Sequence, residues 1–178
     1  MLQRTRDLLI AIDEAWADLL KATDGLTEEE IARQPTPQCN SIAWLMWHTA
    51  RVEDTMVPRQ SGQPQLWISR GWHQRFRMPA DPKNNGGLHT VADLAKFKSP
   101  GRNTLLAYAT AARDQTRGYL SSVTQTQWDE PVQWYRPSGG MVPRSRYMIL
   151  LTKEILVHGG QVSYLRGLMR GMEKLAFY

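Results

Sequence analysis

The 178-residue chain has a single cysteine, Cys39, so it can form no internal disulfide. It does not need one: a chain of this size buries roughly 70% of its unfolded surface on folding. A lone thiol points to a reducing compartment, and the cytoplasm is the expected location. Long apolar runs are also missing. No stretch approaches the roughly 18 apolar residues that would cross a membrane. The first residues, MLQRTRDLLIAIDEAW, spread charges among apolar positions, unlike a signal peptide or a lipidation site. No membrane partner is expected. There is no sustained strand alternation and no internal repeat. Histidine is scarce, with only His48, His73, His89 and His158.

The net charge is +5, which raises the question of a nucleic-acid partner. The basic residues are dispersed, however, and no helix carries the one-sided Lys/Arg stripe of a groove reader. Arg70, Arg75 and Arg77, with Trp67, Trp72 and Phe76 among them, form the densest group. Such interleaving can bind single strands, but the reading adopted is a basic loop folded over its own aromatics. No nucleic-acid partner is expected.

What is present is helical periodicity. Leu8, Leu9, Ile12, Trp16, Leu19 and Leu20 share one face of a helix from Leu2 to about Thr23, stopped by Gly25. Thr27 caps a short turn, with Glu30 placed for a capping box. Asn40 is the expected N-cap of a second long helix, which ends before Pro58 and has Ile42, Leu45, Thr49, Val52 and Met56 as its core stripe. Residues 59–87 form a long excursion with a short helix around Trp67 to Phe76, read as a packed lid. Thr90 caps another short helix. A third long helix runs from Arg102 to about Val123. After a second excursion, Pro143 opens a fourth, extending to about Arg170. The expected architecture is a single all-α domain over residues 1–178: a four-helix bundle whose long connections depart from a simple up-and-down series.

Bundles of this kind build metal sites from side chains on facing helices. Glu154 and His158, spaced i, i+4, lie on one helix face with Cβ atoms roughly 6 Å apart. His48, in the apolar middle of the second long helix, is the natural third ligand, because His73 and His89 fall in irregular regions. Two imidazoles and a carboxylate suit Zn²⁺, with Ni²⁺, Fe²⁺ or Mn²⁺ as alternatives. Three protein ligands leave a position open for substrate. A carboxylate among Ile149, Leu150, Leu151, Ile155, Leu156 and Val157 needs a partner: a metal, Lys153 or Arg51. Gly159 and Gly160 either admit a neighbouring helix or leave space beside a metal. Gln161 either orients an imidazole or faces another helix.

The stretches NSIAWLMWHTARVED and EILVHGGQVSYLRGLMRG, together with the order of long helices and excursions, resemble the DinB/YfiT-like metalloenzyme family. Many members carry His where this chain has Glu154. The sequence is similar to the subset with Glu there, which includes the mycothiol-dependent maleylpyruvate isomerase. The resemblance implies a divalent metal, zinc first and nickel second, held by His48, Glu154 and His158. It also implies a low-molecular-weight thiol cofactor, such as mycothiol or bacillithiol, used for S-transfer or isomerisation of a small-molecule electrophile. A homodimer is expected from the family and from apolar surplus in the first and third long helices. Trp44, Trp47, Trp67, Trp72, Trp134 and Tyr135 are candidate pocket walls. Arg144 and Gln161 are the candidate cofactor-binding residues; Arg144, and Arg146 beside it, either hold a carboxylate of the thiol cofactor or substrate or are ordinary surface arginines. Cys39 has no base beside it in sequence and is not expected to act as a nucleophile.

Overall fold

The computed structural model describes residues 1–134 and 139–171. Among them the elements are α1 (Gln3–Lys21), α2 (Glu28–Ala32), α3 (Ile42–Ser61), α4 (Leu66–Ser69), α5 (Trp72–Arg75), α6 (Val91–Lys96), α7 (Arg102–Ser122), α8 (Gln125–Asp129), β1 (Val132–Gln133), β2 (Met141–Val142) and α9 (Arg144–Arg170). The fold is all-α. The four long helices α1, α3, α7 and α9 make the bundle, with α1 packed on α9 and α7, and α3 packed on α7 and α9. The antiparallel β1–β2 ladder is too short for an alternating pattern to reveal it in sequence.

Side-chain contacts fix the direction of each helix. Arg4 reaches Gln125 and Asp129 beyond the end of α7, while Arg102 at its start donates to the Thr23 carbonyl, so α1 and α7 are antiparallel. Gly159 lies against Leu19, and Arg166 donates to the Ala22 carbonyl, so α1 and α9 are parallel. His48 faces Glu154 and Gln60 meets Arg144, which makes α3 and α9 antiparallel. Arg51 meets Tyr108 and Glu53 meets Arg113, which makes α3 and α7 parallel. Two parallel helices in succession require the chain to travel back along the bundle. A 20-residue helix is about 30 Å long, and residues 62–101 supply the crossover.

The crossover changes how α3 is buried. Every residue from Ile42 to Pro58 is buried, not only the expected stripe, because the bundle covers one side and the crossover the other. Fully buried Arg51 and Asp54 hold it there. Asp54 accepts the backbone N–H groups of Leu66 and Trp67 at 2.7 and 2.8 Å and the Tyr108 hydroxyl at 2.7 Å. Arg51 pairs with Asp54 at 3.2 Å and donates to the carbonyls of Asn84 (3.1 Å) and Pro82 (3.4 Å). Trp67, Trp72 and Phe76 are buried against Tyr108, and the Arg75 guanidinium lies 4.4 Å from the Trp72 ring centre. The basic loop is thus folded over its own aromatics, and those rings present no open face for stacking.

Several boundaries differ from the sequence expectation. The N-cap of α3 is Ser41, not Asn40: the Ser41 hydroxyl accepts the Trp44 N–H. Pro58 does not end α3 but sits in its last turn, where it removes a single hydrogen bond; Gly62, at φ 73°, closes the helix. Helix α1 ends at Lys21, before Gly25. The capping boxes of α2 (Thr27, Glu30) and α6 (Thr90, Asp93) are formed, and a third, Thr124 with Gln127, starts α8. The apolar surplus of α7 is not on its surface, since Leu105, Tyr108, Ala112 and Leu120 are buried. The exposed apolar face belongs to α9: Ile149, Leu156, Val157, Tyr164 and Leu168.

Candidate metal centre

His48 stands in the second turn of α3, at the end of the bundle where α9 finishes. Glu154 and His158 lie one turn apart on the facing stretch of α9. One donor atom from each of the three falls within 4.8 Å of the others. Glu154 Oε2 lies 3.4 Å from His158 Nε2 and 3.9 Å from His48 Nε2. Donors sharing one tetrahedral ion at about 2.1 Å stand about 3.4 Å apart, so the three need only a small contraction to grip one. The residues fit a divalent metal.

The tautomers fit as well. His48 Nδ1 makes a short hydrogen bond with the Asn85 carbonyl. A carbonyl only accepts, so His48 carries its proton on Nδ1 and its Nε2 lone pair faces Glu154. His158 Nδ1 donates to Gln161 Oε1 at 2.8 Å, leaving its Nε2 directed at the same carboxylate. An oxygen acceptor behind each imidazole fixes ring orientation and raises ligand basicity.

Electrostatics separate the two histidines. Burial lowers the His48 pKa to about 4, with the His158 charge adding to burial, and the Asn85 carbonyl and Glu154 opposing. His48 is therefore neutral at pH 7, as a ligand must be. Burial also acts against a charged His158, but the Glu154 carboxylate and Gln161 outweigh it and raise its pKa. The His158 hydrogen bond lowers the Glu154 pKa, with burial opposing and the His158, His48 and Lys153 charges assisting. Glu154 is not the sealed carboxylate that its apolar sequence neighbours suggest, because its side chain is 32% exposed and Leu156, Val157 and Ile149 face outward. Its partners are the two imidazoles; Arg51 is committed to Asp54.

Around His48 the wall is aromatic. The Trp44 indole stacks on the His48 ring at 4.8 Å and 13°, and its N–H donates to His89 Nδ1 at 3.1 Å, so His89 donates from Nε2 to the Asn84 side chain at 3.0 Å. His89 also stacks on Trp47. Gly86 is wedged against this cluster at φ +88°: a Cβ there would lie 2.8 Å from both Trp44 and Trp47 and 3.1 Å from His48 Nδ1. Only glycine meets both constraints. Asn84, Asn85 and Gly86 escape the sequence reading, and His89 is set aside there because it falls in an irregular region. The run Asn84-Asn85-Gly86-Gly87 signals a turn, but His48 is engaged by a backbone carbonyl, which has no side-chain signature.

The other candidates divide by position. Trp44 and Trp47 are at the centre, and Trp67 packs behind Trp47. Trp72 lies away from it on Tyr108, and Trp134 packs on Tyr147 beneath the Arg146 guanidinium. Tyr135 lies outside the described residues. Gln161 is in place behind His158. Arg144 is ten residues before Glu154, about 15 Å along α9, and is not part of the cluster. Gly159 is buried against Leu19 of α1, the close helix approach, whereas Gly160 faces open space. Cys39 receives a hydrogen bond from the Thr36 hydroxyl and sits in the α2–α3 connection.

Among curated proteins none matches this sequence. A crystal structure of a conserved protein from Enterococcus faecalis superposes with a TM-score of 0.84 at 25% identity, over 96% of this chain and 99% of that one. The DinB superfamily profile matches residues 11–162, a span that contains His48, Glu154 and His158, and the chain therefore belongs to the DinB superfamily.

Proposed function

We propose that the protein is a divalent-metal-dependent enzyme, zinc first and nickel second, that uses a low-molecular-weight thiol on a small electrophile, by S-transfer or isomerisation. The observation that carries this reading is the convergence of two oriented imidazole nitrogens and one carboxylate, which leaves a coordination position free. A divalent metal held by His48, Glu154 and His158 would favour the thiolate form of a thiol bound beside it. The chain's own residues do the rest. His48 gives a rigid, neutral donor backed by Asn85. Gln161 aims His158. Glu154, the most exposed of the three, marks the side from which thiol and electrophile enter and the thiol proton leaves to water. The Glu-containing ligand set supports kinship with the thiol-dependent isomerase subset. Pairing of two copies through the exposed apolar face of α9 belongs to the same proposal; sedimentation equilibrium showing only a 20.4 kDa species would remove it.

The test is elemental analysis of tag-free wild type and His158→Ala, followed by thiol consumption with mycothiol, bacillithiol and glutathione against maleylpyruvate and alkylating electrophiles. Near-stoichiometric metal, lost in the variant, with saturable thiol turnover is the expected result. Metal without turnover would leave a binding protein. No metal after incubation with Zn²⁺ and Ni²⁺ would remove the reading.

A further inference from the structure

Among the described residues three arginines are buried, and they differ in what faces them. Arg51 has Asp54 at 3.2 Å, and Arg113 has Asp13 at 2.9 Å and Glu53 at 3.0 Å. Arg144 is also buried, at 6% exposure, but its partners are neutral. Its Nε donates to the Gln127 carbonyl at 2.7 Å. Its Nη1 donates to the Gln60 carbonyl and side-chain oxygen, both at 3.3 Å, and to the Tyr119 hydroxyl at 2.9 Å. Among the described residues no carboxylate oxygen comes within 4 Å of Arg144, and Nη2 has no partner. Buried charges are rarely left without a counter-charge.

Arg144 lines a cavity of about 980 Å³ between the C-terminal half of α7, the end of α3 and α8. That is the size of a small-molecule site. Two amides in the same wall are incompletely bonded, their unpartnered atoms turned away from solvent. Gln60 Oε1 is taken by Arg144, so its unpartnered atom is the donor Nε2. Gln115 Nε2 is taken by the Pro64 carbonyl at 3.1 Å, so its unpartnered atom is the acceptor Oε1. The rim carries Arg70 together with Asp114 and Glu130, all exposed, and Asp114 is paired with Arg117 at 3.0 Å, so among the described residues Arg144 is the one buried charge that faces the cavity.

We propose that this cavity is a second ligand site, separate from the metal centre, for a small monocarboxylate bearing an amide or hydroxyl group. The carboxylate neutralises Arg144 through Nη2, and the amide or hydroxyl meets Gln60 and Gln115 once those side chains turn into the cavity. Neither the metal nor the thiol chemistry enters this argument.

Gly118 provides the selective block. It lies on α7 in the cavity wall, and a Cβ there meets nothing within 4 Å. Gly118→Leu therefore projects a side chain into the cavity without disturbing the core, whereas Arg144→Gln risks the fold. The probes are N-acetylglycinate, D-gluconate and the neutral N-acetylglycinamide, titrated against wild type, Gly118→Leu and His158→Ala by calorimetry and by backbone amide shifts on α7. The expected result is saturable binding of at least one carboxylate, the amide weaker by ~10-fold or more, binding lost in Gly118→Leu and unchanged in His158→Ala. Equal affinity for acid and amide, undiminished binding in Gly118→Leu, or no saturable binding of either carboxylate up to about 50 mM would overturn it.

Discussion

His48 and His158 approach one point from facing helices, and they are held in opposite ways. His48 is sealed between α3 and the crossover, stacked on Trp44, bonded to a main-chain carbonyl and pressed by Gly86. His158 is half-buried beside the exposed face of α9, its side chain 13% exposed, with a carboxylate one turn before it and an amide one turn after. The first is made neutral by burial, the second kept basic by its neighbours. One donor is thus part of the core, and the other two respond to the solution. Metal uptake should therefore be controlled from α9, and fold stability from α3.

The largest expected effect comes from removing each imidazole in turn. His48→Ala and His158→Ala should each weaken metal affinity by roughly 100-fold or more, since two protein ligands remain. Their stabilities should then diverge. In metal-free protein, His48→Ala leaves a cavity among Trp44, Gly86 and the Asn85 carbonyl and should cost about 2–4 kcal/mol. His158→Ala should cost about 1 kcal/mol or less. Urea unfolding in a chelator measures both, and equal losses would dissolve the contrast.

Acid should separate the pair next. The folded pKa of His48 lies below its unfolded value, so its contribution is present above about pH 6.5 and is lost as pH falls toward about 4. A shift of this size corresponds to about 3 kcal/mol. His158 has the opposite sign: its folded pKa is raised, so its contribution is full below the unfolded value and fades as pH rises through the folded one. Unfolding free energies of metal-free wild type and His48→Met between pH 7.5 and 4 should show a flattened acid limb in the variant. Parallel limbs would mean that His48 is not held neutral by the fold. Metal affinity should rise with pH as His158 sheds its proton, with little contribution from His48 above pH 5.

Gly86 tests whether the crossover is what keeps His48 rigid. Alanine there combines a positive φ with close approach to two indole rings and should cost about 2 kcal/mol. A crystal structure or the His48 imidazole NMR shifts should report a displaced ring. A variant with wild-type stability and an unmoved His48 would assign that rigidity to Trp44 alone.

The same contrast sorts what was legible in the sequence. The four long helices announce themselves through apolar spacing such as Ile12, Trp16 and Leu19. Glu154 and His158 can be paired because both lie on one helix, where spacing alone sets distance. His48 could be added because it was the one histidine left in mid-helix. What holds His48 could not be read. Asn85 acts through its backbone carbonyl, and His89 is brought to the centre by a crossover that Arg51 ties to α3 across 33 residues, through the Asn84 carbonyl. Helix direction was hidden for the same reason: that α3 and α7 are parallel depends on where the crossover packs. The expected cap at Asn40 and stop at Pro58 failed because Ser41, one residue on, caps as well, and because a proline in a last turn sacrifices only one bond.

Gln161 offers the finest test, because it is the counterpart on α9 of the Asn85 carbonyl on α3. Each accepts the Nδ1 proton of a candidate ligand imidazole, but Gln161 is an exposed side chain and can be changed without touching the core. Gln161→Ala should leave stability unchanged and weaken metal affinity by about tenfold, or about 1.4 kcal/mol. The loss should arise on the α9 side: the His158 tautomer ratio, read from its ring ¹⁵N shifts, should change while that of His48 does not. A variant that binds metal as wild type does would show that the Glu154 carboxylate alone orients His158, leaving His48 as the one imidazole of the pair whose tautomer the fold dictates.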